Sequence, residues 1–242
     1  MLSELSLKAF LDKTASGTPF PGGGSMSAFF AASAAALTEM AANLTIGKKG
    51  FEAVQEEMKS IAAGASALRA KMTAAVDRDS EAFEQVMAAF RLPKNSTAEK
   101  ESRNAAVQQA FKNAASVPME VAEAAFEIML LAQKVVAEGN KNAATDAQVG
   151  VIAARSAVLG SLCNVKVNLT SIQDQGFAEK LSEQVRHLEK AVIVSHRGHR
   201  GEKPTETTER KKCRKNKLFS VISVGKKYMP YNGLHGKKER TF

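Results

Sequence analysis

Eleven positions from Val54 to Phe90 step along the chain by fours and threes: Val54, Met58, Ile61, Ala65, Leu68, Met72, Ala75, Asp79, Phe83, Val86 and Phe90. All but Asp79 are apolar, so the spacing predicts one face of a single helix of about ten turns, ending before Pro93. A stripe of that length needs partners of similar length. The chain is therefore expected to fold as a long-helix bundle and to dimerise through its long helices.

The remaining sequence agrees with an all-α body of about five to six helices. It is rich in alanine, punctuated by Leu and Met, and poor in β-branched runs. A short amphipathic helix is expected at about Leu5–Thr14, and a helix of small residues from Ser25 to about Ile46, ended by Gly47. A third helix carries the stripe. A fourth should span about Thr97–Ala137, with Pro118 kinking it. A fifth should begin near Asn142–Thr145 and reach about Val165, and a last one follows Ser171–Asp174. The run Met26–Leu44 is uncharged enough to raise the question of a membrane. Its Ala and Ser content, Glu39 and Asn43 suit a buried central helix wrapped on most sides, so no membrane partner is expected.

Charge divides the chain in two. Residues 1–190 hold 20 Lys and Arg against 21 Asp and Glu, whereas residues 191–242 hold 14 against 4. Alanine divides there too, with 39 before residue 191 and one after it. The body at 1–190 is thus nearly neutral, and nucleic acid is an expected partner only through the basic tail at 191–242. Neither cysteine has a metal-ligand spacing and the four histidines are scattered, which argues against a zinc hydrolase and for no metal. Without a signal-like start, the expected compartment is reducing and cytoplasmic.

Three places could carry chemistry. In Pro21-Gly22-Gly23-Gly24-Ser25, glycines expose backbone N–H groups at a helix start that Ser25 is suited to cap. The loop reads either as an oxyanion or carboxylate cradle or as a tight entry turn for a crowded helix. Asp79 stands in the apolar stripe, while Asp77 should lie on roughly the opposite face. A carboxylate among apolar side chains has a raised pKa suited to acid–base work, although a buried Asp satisfied by a local partner would look the same. Asp146 opens the fifth helix. Along that helix Gly150, Ala153, Ala157, Gly160 and Asn164 form a face narrow enough for another helix or a flat ligand. Thr145-Asp146-Ala147-Gln148 also fits a capping box. Lys48 and Lys49 could bind an anionic tail or simply complement a helix C-terminus. Cys163 reads as a small buried hydrophobe and His187 as a solvated surface residue.

Together these segments resemble the cyclodeaminase/cyclohydrolase family, found as the C-terminal domain of formiminotransferase-cyclodeaminases and as stand-alone proteins. The resemblance rests on five collinear runs: Thr18–Ser25, Ala42–Lys49, Asp79–Phe83, Asn140–Asp146 and Leu162–Leu169. It implies an all-helical, homodimeric enzyme without a metal whose substrate is a tetrahydrofolate derivative. In the cyclodeaminase reaction, 5-formiminotetrahydrofolate closes to 5,10-methenyltetrahydrofolate and releases ammonia, a step linked to histidine degradation. Some relatives instead hydrolyse methenyltetrahydrofolate. The first reaction is the favoured expectation, with substrate supplied by a separate formiminotransferase. Carried over residue by residue, the resemblance makes Asp79 the first choice for the acid–base group and Asp146 the second. Gly22–Ser25 would meet an anionic part of the folate, and Lys48 and Lys49 its glutamate tail. Pro21, Asn43, Asn142 and Asn164 join the substrate-binding set.

The resemblance stops near residue 190. The run Arg210–Lys217 and the apolar patch Leu218–Val224 read as a solvated basic extension, an import-like run, or the product of a changed reading frame. A non-catalytic folate-binding or scaffold protein is the remaining alternative.

Overall fold

The computed structural model describes residues 1–198, and among them no strand occurs. Six α-helices follow one another: α1 Leu7–Ala15, α2 Gly23–Asn43, α3 Gln55–Arg91, α4 Thr97–Glu138, α5 Ala144–Leu169 and α6 Gln175–Gly198. The all-α long-helix bundle expected from periodicity is what forms. Two starts show local sequence at work. Ser6 accepts from the Ala9 N–H at 3.2 Å, and Ser96 with Glu99 forms a full capping box at the head of α4. The latter, Ser-x-x-Glu just after Pro93, was readable in the sequence. Pro118 lies buried inside α4, which continues through it.

Helix α2 is the centre of the bundle, packed between α3 and α5 with α4 beneath. Its inward positions Ala28, Ala31, Ala34, Ala35, Ala41 and Ala42 have no exposed surface. Alanine costs no side-chain entropy and lets three neighbouring helices approach one axis. The narrow face of α5 lies against α2, not against a flat ligand. A Cβ added at Gly160 would strike Ser27 Oγ, and one at Gly150 would meet the Ala34 carbonyl and Leu37. Since Gly23 meets Asn164 in the same way, α2 and α5 run antiparallel.

Several expectations are corrected. The stripe on α3 is spent inside the chain, and its buried line drifts to Val76, Ala82, Val86 and Ala89 at the C-terminal half. A 3.6-residue helix drifts round relative to a strict seven-residue repeat, so Phe83 and Phe90 end half-exposed. Asp77 lies off the stripe, and that side of α3 is covered as well. It is buried and accepts from the Leu2 N–H and the Ser3 hydroxyl, clasping the N-terminal turn Leu2–Glu4 onto α3. Helix α2 is not wrapped on most sides, because Phe30, Met40 and Leu44 are exposed. Beside them the outer face of α5 is also uncovered, with Val149 at 49% and Ile152 at 65% exposure. By length and composition α5 is apolar enough to cross a membrane, although part of it is buried in the bundle. Cys163 is exposed and not buried, and His187 is exposed as expected.

Helix α6 continues past Ala191, where the composition changes. Val192 is fully buried, and Ser195 exchanges hydrogen bonds with Gln133 at 2.7 and 3.0 Å. The rest of the tail, including Arg210–Lys217 and Leu218–Val224, lies outside the described residues.

Because Asp77 is a buried carboxylate satisfied by the N-terminal turn, Asp77→Ala should cost about 1–3 kcal/mol of stability by stranding those donors. Urea unfolding would measure it, and an unchanged midpoint would show that the clasp adds nothing.

Candidate functional site

The N-terminal end of α2 holds the densest polar cluster. Gly22, not Ser25, is the N-cap, so Ser25 falls inside the first turn with its side chain completely buried. From there its hydroxyl donates to Asp79 Oδ2 at 2.9 Å and lies 3.3 Å from the Ser80 hydroxyl. Gly24 has no side chain because Asp79 occupies the space, and a Cβ there would overlap the carboxylate. The glycine loop therefore does act as a carboxylate cradle, and the carboxylate it holds is the protein's own. Asp79 sits against the positive end of α2, where exposed N–H groups favour negative charge.

Burial nevertheless dominates. Loss of solvent raises the Asp79 pKa above the usual carboxylate range, against the opposing pull of the Ser25 hydroxyl and Ser25 backbone N–H. The result is a carboxyl oriented by a fixed donor yet inclined to keep a proton, as a group alternating between acid and base requires. Asn164 reaches the same end from α5 through its approach to Gly23, while its amide donates to the Gly160 carbonyl at 2.9 Å. Pro21 is buried just before the cap, and the Phe20 ring lies 5.7 Å from that of Phe83, one turn beyond Asp79.

The other expected residues gather at the opposite end of α2. Asn43, Lys48, Lys49 and Asn142 are exposed there, and Asp146 is partly exposed near the start of α5. No capping box forms at Thr145–Gln148. The helix is capped by Ala143 without a side-chain bond, since a short 3-10 turn, Lys141–Ala143, leads straight into it. The organiser of this end is Asn140. It is buried, donates its N–H to Thr45 Oγ1 at 2.9 Å and its amide to the Leu44 carbonyl at 3.0 Å, and accepts from the Asn142 N–H. Asn140 and Ser80 were missed as functional candidates, although both lie within the runs that carry the resemblance.

Asp79 and Asp146 are thus not brought together within one chain. Asp79 is level with Gly24, and Asp146 lies one turn before Gly150, which packs on Leu37 and Thr38. At 1.5 Å per residue this separates the two by roughly 25 Å along the helix axis.

A family model described as formiminotransferase-cyclodeaminase matches residues 6–187. The chain belongs to that family. It is 37% identical over 211 residues to a methenyltetrahydrofolate cyclohydrolase of Methylorubrum extorquens, covering 87% of this chain and 99% of the relative. The formimidoyltransferase-cyclodeaminase of Rattus norvegicus is 33% identical over 187 residues, and the chain spans only 35% of its length. Among solved structures, a formiminotetrahydrofolate cyclodeaminase of Thermotoga maritima superposes with a TM-score of 0.71 at 35% identity, covering 80% of this chain and 92% of that one. The chain is therefore an enzyme of folate one-carbon chemistry.

Two outcomes follow from this geometry. Gly24→Ala should lose turnover and about 1–3 kcal/mol of stability by overpacking, and adding Asp79→Ala should restore the stability but not the activity. A double variant as unstable as Gly24→Ala would break the argument. Asp79 also burdens the fold when charged. In the unfolded chain it ionises in the ordinary range, and in the fold only at higher pH. The folded state binds the extra proton between those limits, so stability falls as pH rises through that window. Asp79→Asn, which keeps an oxygen for Ser25, should melt at or a few degrees above the wild type near about pH 7.5. A lower melting temperature would contradict this.

Proposed function

We propose that this chain hydrolyses 5,10-methenyltetrahydrofolate, with Asp79 as the acid–base group. The observation that carries the acid–base reading is the half-buried, Ser25-oriented carboxylate at the head of α2. In the reaction, Asp79 takes a proton from water as the water oxygen bonds to the bridging carbon. It then returns that proton to the folate nitrogen as the carbon–nitrogen bond breaks, while the second proton of the former water leaves its oxygen for solvent as the formyl C=O forms, so that the carboxylate is regenerated and one proton is released overall. The end-to-end similarity to a cyclohydrolase supports this substrate.

The second reading is cyclodeamination of 5-formiminotetrahydrofolate, favoured by the likeness to the Thermotoga maritima protein over nearly its whole length. Asp79 would then accept the proton of the attacking nitrogen and deliver one to the departing ammonia. A separate formiminotransferase would supply the substrate. The two readings separate cleanly with purified protein. Faster loss of supplied methenyl absorbance means cyclohydrolase, whereas growth of that absorbance with ammonia release from formimino-folate means cyclodeaminase. In either case Asp79→Asn should fall at least about 100-fold. Full turnover by a folded Asp79→Asn would remove the acid–base assignment, and silence of the wild type in both assays would favour a non-catalytic folate binder.

The working unit we infer is a homodimer, formed through the uncovered face of α2 and α5. Phe30, Met40 and Leu44 adjoin Val149, Ile152, Leu159 and Val167 across two antiparallel helices. A two-fold axis crossing the middle of α2 sets the Asp79 end of one protomer beside the Lys48, Lys49 and Asp146 end of its partner. That arrangement lets both clusters meet one extended folate. Ile152→Glu should convert a species of twice the 25.9 kDa chain mass into monomer and abolish turnover. If Asp146 is required, mixing Asp79→Asn with Asp146→Asn protomers should recover about a quarter of wild-type activity, because half the dimers then hold one intact site. Monomeric wild type, or no recovery on mixing, would exclude the shared site.

A further inference from the structure

Ser80 is buried to 8% exposure on α3, immediately after Asp79, and its hydroxyl has the Ser25 hydroxyl, at 3.3 Å, as its hydrogen-bond partner. Ser25 carries one hydroxyl proton, and that proton points at Asp79 Oδ2. The remaining role at the Ser25 oxygen is acceptor, so Ser80 must be the donor. The order is therefore Ser80 to Ser25 to Asp79, a directed chain of two hydroxyls ending on one carboxylate oxygen.

We propose that Ser80 is a positioning residue for the acid–base step: by donating to Ser25 it holds the Ser25 proton on Asp79 Oδ2 and so fixes the carboxyl, with Oδ1 the oxygen that takes up and gives back the proton. This rests on the reading of Asp79 as the acid–base group. When Oδ1 takes a proton, Oδ2 becomes the carbonyl oxygen of a neutral acid and still accepts from Ser25. Neither hydroxyl has to turn during transfer in either direction, which is the sense in which the site is preorganised. Without Ser80, the Ser25 oxygen loses its incoming donor. Its hydroxyl is then held toward Asp79 by one hydrogen bond and no longer by a connected pair.

Charged groups do not supply an alternative control. On α3, Asp77 is engaged by Leu2 and Ser3, Arg78 pairs with Glu120 of α4 at 2.9 Å, and Glu81 is exposed. On α5, Lys166 pairs with Glu189 of α6, and α2 carries no charged residue before Glu39. None of these acts on the Asp79 carboxyl, whose own donors all come from Ser25.

The test is the titration of Asp79 itself, read by carboxyl-13C NMR of aspartate-labelled protein with the resonance assigned by its loss in Asp79→Asn. In Ser80→Ala the midpoint should rise by about half a pH unit or more, because the donor that favours the charged form is weakened. The acid limb of kcat/KM with 5,10-methenyltetrahydrofolate should move the same way, with kcat reduced several-fold and KM little changed. Ser80→Cys, similar in size with a weaker donor, should fall between. In a Ser25→Ala background, Ser80→Ala should add nothing, since the relay is already cut. An unmoved titration in folded Ser80→Ala, or an equal shift with Ser25 absent, would overturn the proposal. Failure of the acid–base reading is seen separately, as turnover that survives Asp79→Asn.

Discussion

The contact on which the site depends is between a missing side chain and a carboxylate. Gly24 leaves a hole in the first turn of α2, and Asp79 fills it from α3. That one fit sets the height at which α2 and α3 meet, takes most of the carboxyl out of solvent, and aims Ser25 at it. Two opposing effects then act on the same group. The N-terminal dipole and the serine donor favour charge, while lost hydration disfavours it. Lost hydration wins, and the Asp79 pKa lies above that of a solvated carboxylate.

Small residues make this possible and leave a consequence on the other side. With alanine lining the inward surface of α2 and glycine at Gly150 and Gly160 on α5, the helices close up and cannot cover each other's outer faces. An uncharged strip from Met40 and Leu44 across to Ile152 and Val167 stays in solvent. Dimerisation was expected through the long helices, the α3 stripe being the feature that asked for long partners. The stripe is consumed within the chain, and it is the helices chosen for thinness that present apolar surface outward.

What was legible in the residues follows physical period. A stripe sustained over α3, the Gly-Gly-Gly entry to α2 and the odd carboxylate at Asp79 all express spacing along one helix, and each is where the fold needs it. Errors arose where the answer depended on another helix. Asp77 was set on the face opposite the stripe with no role, because its partner, the turn at Leu2 and Ser3, lies about 75 residues away in sequence. Ser25 looked like a cap because Ser usually is one, but the helix begins two residues earlier and puts the hydroxyl to use on α3. Cys163 looked buried because free cysteine usually is, but it lies one step along α5 from buried Leu162, and one step turns a side chain through 100° into the open.

The separation of Asp79 from Asp146 changes what the five motif runs have in common. Within a single chain they fall into two groups at opposite ends of α2, one built on Ser25 and Asp79, the other on Asn140 and Thr45. Asn140 is buried and hydrogen-bonded on three sides, so the second group is held as firmly as the first. Rigid polar clusters at both ends of one helix cannot serve one carbon atom from the same protomer across roughly 25 Å. Antiparallel pairing of two copies is the simplest symmetry that removes the distance, and it uses the strip that the thin helices leave bare. The same small residues that admit Asp79 to its cradle would then also supply the surface that completes the site.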